Sequence, residues 1–516
     1  MTLIVHPNIR LNSRGDATDA LLIRAGKVAA RGDDARRLAG AEDRVVRPDA
    51  ACLMPALIEA HAHPWGLGQR AGVCDLRGAR SSAEVLGRLA RHPGAPTSAP
   101  WVLGEGLDDN LWAAGDVLTA EALDRLLPGV PIFLRRIDYH AAWVSGEALV
   151  RAQITPGWTP PGGGRAEVDE AGRLTGFLVD DAMDPVLALI PAATLDDARL
   201  LLEAHARLYR ALGVATVHNA YVSVAEHRAL APRADARPCL RLYNMIDGTD
   251  AALGELLEAG PERDVRWAGC AVKFFADGAM GSRGALLWEP YDDGTLGLEV
   301  TPAQVLLSRV PALLEAGWQV CVHAIGDRAA AQVLDAYEAA SSSVRQATRP
   351  RLEHCQMMTH ADIARMARLS VIASVQPIHM SSDSPWAVGY VGEARRERLF
   401  AYETMRRAGC VLAGGSDYPI DDPSPWHGLH AACTRINRAG GVFGAGEALA
   451  RRDALRMYLE GAAWAGFMEG RLGALEMGCE AEVIGVDVDP WACEADALRE
   501  VRVVWGLGEV MGQLEG

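Results

Sequence analysis

The chain has 516 residues, with 51 basic against 67 acidic side chains and a formal net charge of −16. An apolar fraction of 49% beside 23% charged residues can fill a large core, which excludes a disordered or low-complexity chain. The acidic excess, with no Lys/Arg-rich stripe, excludes nucleic acid and anionic membrane as expected partners, and no apolar run reaches the roughly 18 residues of a membrane span.

In chain order, residues 1–50 hold short β-like runs (ALLIRAGKVAARG). Met1 to Asp16 is broken by Pro7, Arg10 and Arg14, unlike the apolar core of a signal peptide. Residues 472–516 (EAEVIGVDV, REVRVVWGLGEVMG) are also β-like, and neither end is long enough for a core of its own. The two ends are therefore expected to pair into one small composite β-domain.

Residues 51–471 carry a repeat. Apolar runs at 53–60 (LMPALIEA), 213–218, 239–246, 269–275, 319–324, 351–356, 370–376 and 410–416 alternate with Ala/Leu/Arg-rich stretches of helical period. Eight continuous apolar strands, each followed by a helix, predict an α/β fold: a (β/α)8 TIM barrel with strands buried on both faces. The interval 64–212 is too long for one strand–helix unit. It holds strand-like runs at 101–107 and 131–138 and a Pro/Gly-rich loop at 155–164. It reads as a subdomain inserted at the C-terminal face of the barrel, where loops build active sites. Ten cysteines lie along the chain without a CxxC pair, and Cys239, Cys270, Cys321, Cys355 and Cys410 sit in apolar runs. They predict buried, reduced thiols and a cytoplasmic protein.

The strongest local signal is His61-Ala62-His63. Residues i and i+2 of an extended strand share a side, so two imidazoles at a strand's C-terminal end can hold one metal ion. His323, His354 and Asp417 end three other predicted strands. One strand-end His is explained by core packing; this set is better explained as ligands for Zn²⁺ or a related divalent ion. Of the 51 basic residues only Lys27 and Lys273 are Lys, the other 49 being Arg. Lys273 lies in the apolar run AVKFF, where burial favours the neutral amine. A neutral amine can take up CO2 to give a carbamate, N6-carboxylysine, able to bridge two metals. The competing reading pairs Lys273 with Asp277 or Asp417. A hydroxide held between two ions would attack a polarised carbonyl, with Asp417 as the catalytic proton acceptor and donor.

These stretches resemble the metal-dependent amidohydrolase superfamily, and more closely its amidohydrolase 3, or YtcJ-like, branch: MPALIEAHAHP (54–64), VKFFADGAMGSRGALL (272–287), VHAIGDRA (322–329), RLEHCQ (351–356), SVQPIHMSSDSPW (374–386) and GSDYPI (415–420). The resemblance covers nearly the whole chain. It implies that His61 and His63 hold the more buried metal with Asp417, that carboxylated Lys273 bridges the ions, and that His323 and His354 hold the second. It also implies an enzyme that is often oligomeric. Two departures precede the ligands: Ala56 where the family has Gly, and Glu59 where it has Asp. A third is Glu482 in the last strands, where Asp is usual.

The expected activity is hydrolysis of a C–N bond in a small-molecule amide, N-substituted formamide or cyclic amide. One alternative is a mononuclear deaminase of an aromatic base. Such deaminases resemble this chain in their histidines and Asp, but lack the bridging Lys and carry Glu three residues after the fifth-strand His, where this sequence has Gly326. The other alternative is a catalytically silent family member, against which stand six intact candidate ligands. Trp65, His140, Arg283 and His379 are candidate substrate contacts, with packing or ion pairing as the competing reading of each.

Overall fold

The computed structural model describes residues 1–64, 73–92, 101–160, 164–191, 195–229, 240–264 and 267–506. Eight parallel strands form its centre: β1 (Leu57–Ala62), β2 (Val214–Val222), β3 (Arg241–Asp247), β4 (Trp267–Phe275), β5 (Gln319–Ala324), β6 (Arg351–His354), β7 (Ile372–Val375) and β8 (Leu412–Gly414). Each pairs with the next in parallel, from β1 at one end of the sheet to β8 at the other. This is the (β/α)8 barrel, and helices lie against its outside. The helix His360–Arg368 shows the local logic. Thr359 caps its first turn by accepting from Asp362 N–H, and Ile363 and Met366, three residues apart, bury its inner side.

The barrel closes between β8 and β1. Asp417 N–H donates to His61 O at 2.7 Å, and His63 N–H donates to Tyr418 O at 2.7 Å. The Glu59 carboxylate accepts from the N–H groups of His61 and Ser416, both at 2.9 Å. Gly415 permits this approach: a Cβ there would stand 2.5 Å from Glu59 Oε1 and 2.6 Å from His61 N.

The run 53–60 is not one strand. Cys52–Pro55 pairs antiparallel with Val483–Val486 and belongs to a second sheet, whereas the barrel strand begins at Leu57. Ala56 divides them, its N–H donating to Glu482 O and that of Leu57 to Gly213 O. Ala56 still bonds the terminal sheet and Leu57 is the first to bond the barrel, so the chain changes sheets between them. The second sheet runs Val503–Gly506, Val483–Val486, Cys52–Pro55, Thr2–Arg10, Ala17–Arg24, Lys27–Arg31, with Arg44–Val46 beside Thr2–Arg10. Strands from both chain ends share it and bury Ile4, Ile9, Leu21, Leu53 and Val483.

Between β1 and β2 stands a third sheet, in the order Arg165–Val168, Leu174–Val179, Ala141–Val144, Ile132–Arg136, Val102–Leu107, Cys74–Asp75. One face buries Leu76, Ile132, Leu134 and Trp143; the other buries Phe133, Ala142, Leu178 and Met183. Among the described cysteines none forms a disulfide, and seven of those nine are buried. Cys239 lies outside the described residues. No described helix is long and apolar enough to cross a membrane.

Candidate metal centre

His61 and His63 stand at the C-terminal end of β1, where extended backbone sends both imidazoles to one side. Their Nε2 atoms lie 3.3 and 3.0 Å from Asp417 Oδ1 across the barrel seam. Yet His61 Nε2 and Asp417 Oδ1, both buried, have no hydrogen-bond partner. Asp417 has φ +60°, a left-handed conformation uncommon for a non-glycine residue, which turns its carboxylate toward the histidines.

Lys273 projects from β4, is 1% exposed, and its Nζ has no hydrogen-bond partner. It makes no ion pair within 4.0 Å with a described carboxylate, so neither Asp277 nor Asp417 neutralises it. Asp277 is instead taken up by the backbone N–H groups of Leu286, Ile325 and Gly326 at 2.8, 3.0 and 2.8 Å. Burial pushes the Lys273 amine below its usual range, with Glu353 and Asp417 pulling partly the other way.

His354 ends β6 with φ +76°. Glu353 already faces the barrel interior, and the left-handed turn brings the next side chain to the same region. The His354 ring lies 4.8 Å from that of His61 and 4.4 Å from that of His323. His354 Nδ1 bonds Gln376 Oε1 at 2.9 Å, which fixes the ring. Burial holds His63, His323 and His354 below the ordinary imidazole range, so they present neutral nitrogens. For Asp417 burial acts upward, but His61 and His63 overcome it and hold the carboxyl well below its usual range.

Neutral imidazoles, a carboxylate and a partnerless amine converging in a buried space make a donor set suited to divalent ions. His61, His63 and Asp417 bring ligand atoms within 4.8 Å of one another, and so do His354, His379 and Asp417. His323 stands beside the second group, its Nε2 3.3 Å from Gly278 O.

The centre opens into a cavity of about 580 Å³ lined by His63, Lys273, His323, His354 and Asp417 together with residues of the inserted sheet. The other sequence candidates divide. His140 lines the cavity, bonds Asp180 at 2.6 Å and lies 4.8 Å from the His323 ring. His379 also lines it, its Nε2 buried without a partner and 3.8 Å from Asp417 Oδ2. Arg283 is outside the cavity lining. It forks onto Asp292 at 2.9 and 3.1 Å and stacks on Tyr390. Trp65 lies outside the described residues.

The "Amidohydrolase family" model matches residues 51–511. The chain belongs to the amidohydrolase family. This amidohydrolase is 30% identical over 505 residues to the putative amidohydrolase YtcJ of Bacillus subtilis (strain 168), covering 95% of this chain and 94% of that one. It is 26% identical to an N-substituted formamide deformylase of Arthrobacter pascens, over 97% of this chain and 96% of the relative. Among solved structures, an uncharacterized metal-dependent hydrolase from Pyrococcus horikoshii OT3 superposes with a TM-score of 0.76 at 26% identity, covering 96% and 99% of the two chains. The amidohydrolase is thus a metal-dependent hydrolase.

Several residues of this amidohydrolase's site escaped the sequence reading. Arg351 crosses the barrel interior to Ala60 O (2.8 Å), Ser374 Oγ (3.0 Å) and His218 Nδ1 (2.9 Å), and pairs with Glu353 at 2.9 Å. For Glu353 burial acts upward, but Arg351 and His61 overcome it and hold the carboxyl well below its usual range. The signal was present in RLEH: two charges in alternate positions of a strand buried on both faces must point at each other or at a site.

Proposed function

We propose that the enzyme hydrolyses the C–N bond of a small amide, an N-substituted formamide or a cyclic amide, using two divalent ions, zinc first among them. His61, His63 and Asp417 would hold one ion, and His323 and His354 the other. Lys273, as the carbamate that its neutral amine would form by taking up CO2 and releasing a proton, would offer a carboxylate ligand to them. The observation that carries this reading is the convergence of three buried polar atoms without hydrogen-bond partners: His61 Nε2, Lys273 Nζ and Asp417 Oδ1. Coordination by metal and conversion to a carbamate would satisfy all three.

Ions bound there supply a water of lowered pKa and polarise a carbonyl oxygen. Asp417, kept ionised beside its two histidines, accepts the water's proton and passes it to the leaving nitrogen. Gln376 fixes the His354 ring and Glu353 that of His61, so both ligands keep one orientation. The inserted sheet walls the cavity and restricts water around the scissile bond.

The name of the Arthrobacter relative supports formamides as the first substrates to try. The deaminase alternative is opposed at Gly326. A Cβ there would stand 2.0 Å from Leu286 O, so the barrel has no room for a Glu at that position. The test is a screen of N-formyl and N-acyl amines, cyclic ureides and aminopyrimidines with the zinc-loaded enzyme, scored separately for amine and for ammonia. Amine release from the first groups is expected; ammonia from an aromatic base alone would overturn the reading.

A further inference from the structure

We infer that Arg135 is a carboxylate receptor, and that the preferred substrate is an amide carrying a carboxylate. The inference rests on the amide-hydrolase reading and names the substrate class for that site.

Arg135 belongs to the strand Ile132–Arg136 of the inserted sheet. Strand alternation puts Ile132 and Leu134 on one face, in one apolar core, and Phe133 and Arg135 on the other. The cross-strand partners on that second face are Ala142 opposite Arg135 and Val144 opposite Phe133. On the other adjacent strand Glu105 stands opposite Arg135, so this charged pair of positions ends an otherwise apolar face, and Arg135 is 8% exposed. It lies 5.6 Å from the Phe133 ring centre and 5.0 Å from that of Tyr139.

The Arg135 side chain makes no hydrogen bond and no ion pair within 4.0 Å with any described residue, and its Nε is buried without a partner. This is unusual for a permanently charged group, because an unpaired buried charge is costly and Arg cannot shed its proton. Two carboxylates come near. Glu105 is its register partner on the adjacent strand, but accepts from the Tyr139 hydroxyl at 3.0 Å. Asp184, whose carboxyl burial and the neighbouring Asp181 push up to about 6, also stays outside ion-pair distance. Both offset the charge without accepting from the fork.

The position gives the fork its use. Arg135, Tyr139, Met183 and Leu187 line the same cavity as Lys273 and Asp417, so a ligand bound at the metal centre shares its cavity with Arg135. The neighbouring arginine has no such freedom: Arg136 is bound by Asp109 at 2.7 Å and by Asp138. Arg438, also on the cavity wall, is held by Ser382 O at 2.9 Å and Asp108 at 3.4 Å. One planar fork between apolar side chains and a Tyr ring suits a single delocalised monoanion, which it can grip with two parallel N–H···O bonds.

The experiment compares N-formyl-ω-amino acids of increasing chain length with their terminal carboxamides, using zinc-loaded wild type, Arg135→Met and Arg135→Gln. Thermal midpoint and metal content are measured alongside. Calorimetric titration of hexanoate and 1-hexanol, neither of which has a C–N bond to hydrolyse, reads binding without catalysis. Wild type is expected to prefer carboxylate to carboxamide, and both variants to shrink that preference by roughly tenfold to a hundredfold, chiefly through KM. Hexanoate binding should weaken by a similar factor. Equal loss for carboxylate and carboxamide, or hexanoate bound as tightly by the variants as by wild type, would overturn the assignment. Arg135-dependent hexanoate binding with no formamide hydrolysed would leave the receptor standing and remove the amide-hydrolase reading instead.

Discussion

Glu353 Oε2 lies 2.6 Å from Nδ1 of His61, inside the barrel, with neither side chain exposed to solvent. The carboxylate fixes which nitrogen of His61 carries the proton and so aims Nε2 at Asp417. Outer partners of this kind commonly set metal affinity by ten- to a hundredfold. Glu353→Gln is expected to weaken zinc binding by roughly that factor, measured by competition with a chromogenic chelator. It also strands the buried Arg351, so unfolding by urea should show a loss of about 3–5 kcal/mol. The double variant Arg351→Met/Glu353→Gln should regain part of that stability without regaining the metal affinity.

Lys273→Arg keeps a positive charge but cannot form a carbamate. The purified variant is expected to lose at least one divalent ion per chain by elemental analysis. Wild type stripped of metal and CO2 should regain activity with zinc only when bicarbonate is supplied. Full metal content and activity in Lys273→Arg would remove the carbamate from the scheme.

Gly326 is walled by backbone. With Leu286 O 2.0 Å from the place of a Cβ, Gly326→Ala must displace the loop before the helix Asp327–Glu338. A loss of about 1–3 kcal/mol is expected, read as a lowered thermal midpoint. An unchanged midpoint would show that the loop yields easily and would reopen the position to a catalytic Glu.

His227 is held neutral by burial, to about 4, and lies away from the metal centre, its ring against Gly269 and Asn244. Its folded value is below the ordinary 6.5, so the unfolded chain binds the proton first. The stability tied to His227 is complete above about pH 6.5 and is lost as pH falls toward about 4, by about 1.4 kcal/mol per unit. Urea unfolding of metal-free His227→Gln from pH 7.5 to 4.5 should therefore show a shallower acid loss than wild type. Parallel curves would contradict this.

Much of the architecture was readable because a strand buried on both faces leaves a plain mark, as QVCVHA does at β5, and because ligands gather where such strands end. The boundary at Ala56 was not readable, since a strand that leaves one sheet and a strand that enters another look identical in an unbroken apolar run. The centre was half readable. Residue type singled out His61, Lys273 and Asp417 as candidates, whereas Glu353 and Arg351 meet their partners through a register across β6, β7 and β1 that only the closed barrel creates. Arg283 stays outside the cavity lining for a simple reason: Asp292, nine positions on, takes its Nε and Nη2.

The passage through Ala56 ties two ends of the molecule into one cooperative unit. Five residues separate Pro55, which pairs with Val483 in the terminal sheet, from His61, so slack in one sheet is felt as misalignment in the other. A metal held at the end of β1, as proposed, would steady the terminal sheet. Hydrogen exchange at Val483–Val486 is then expected to slow when a divalent ion is loaded, and a truncation there to weaken metal retention without touching a candidate ligand.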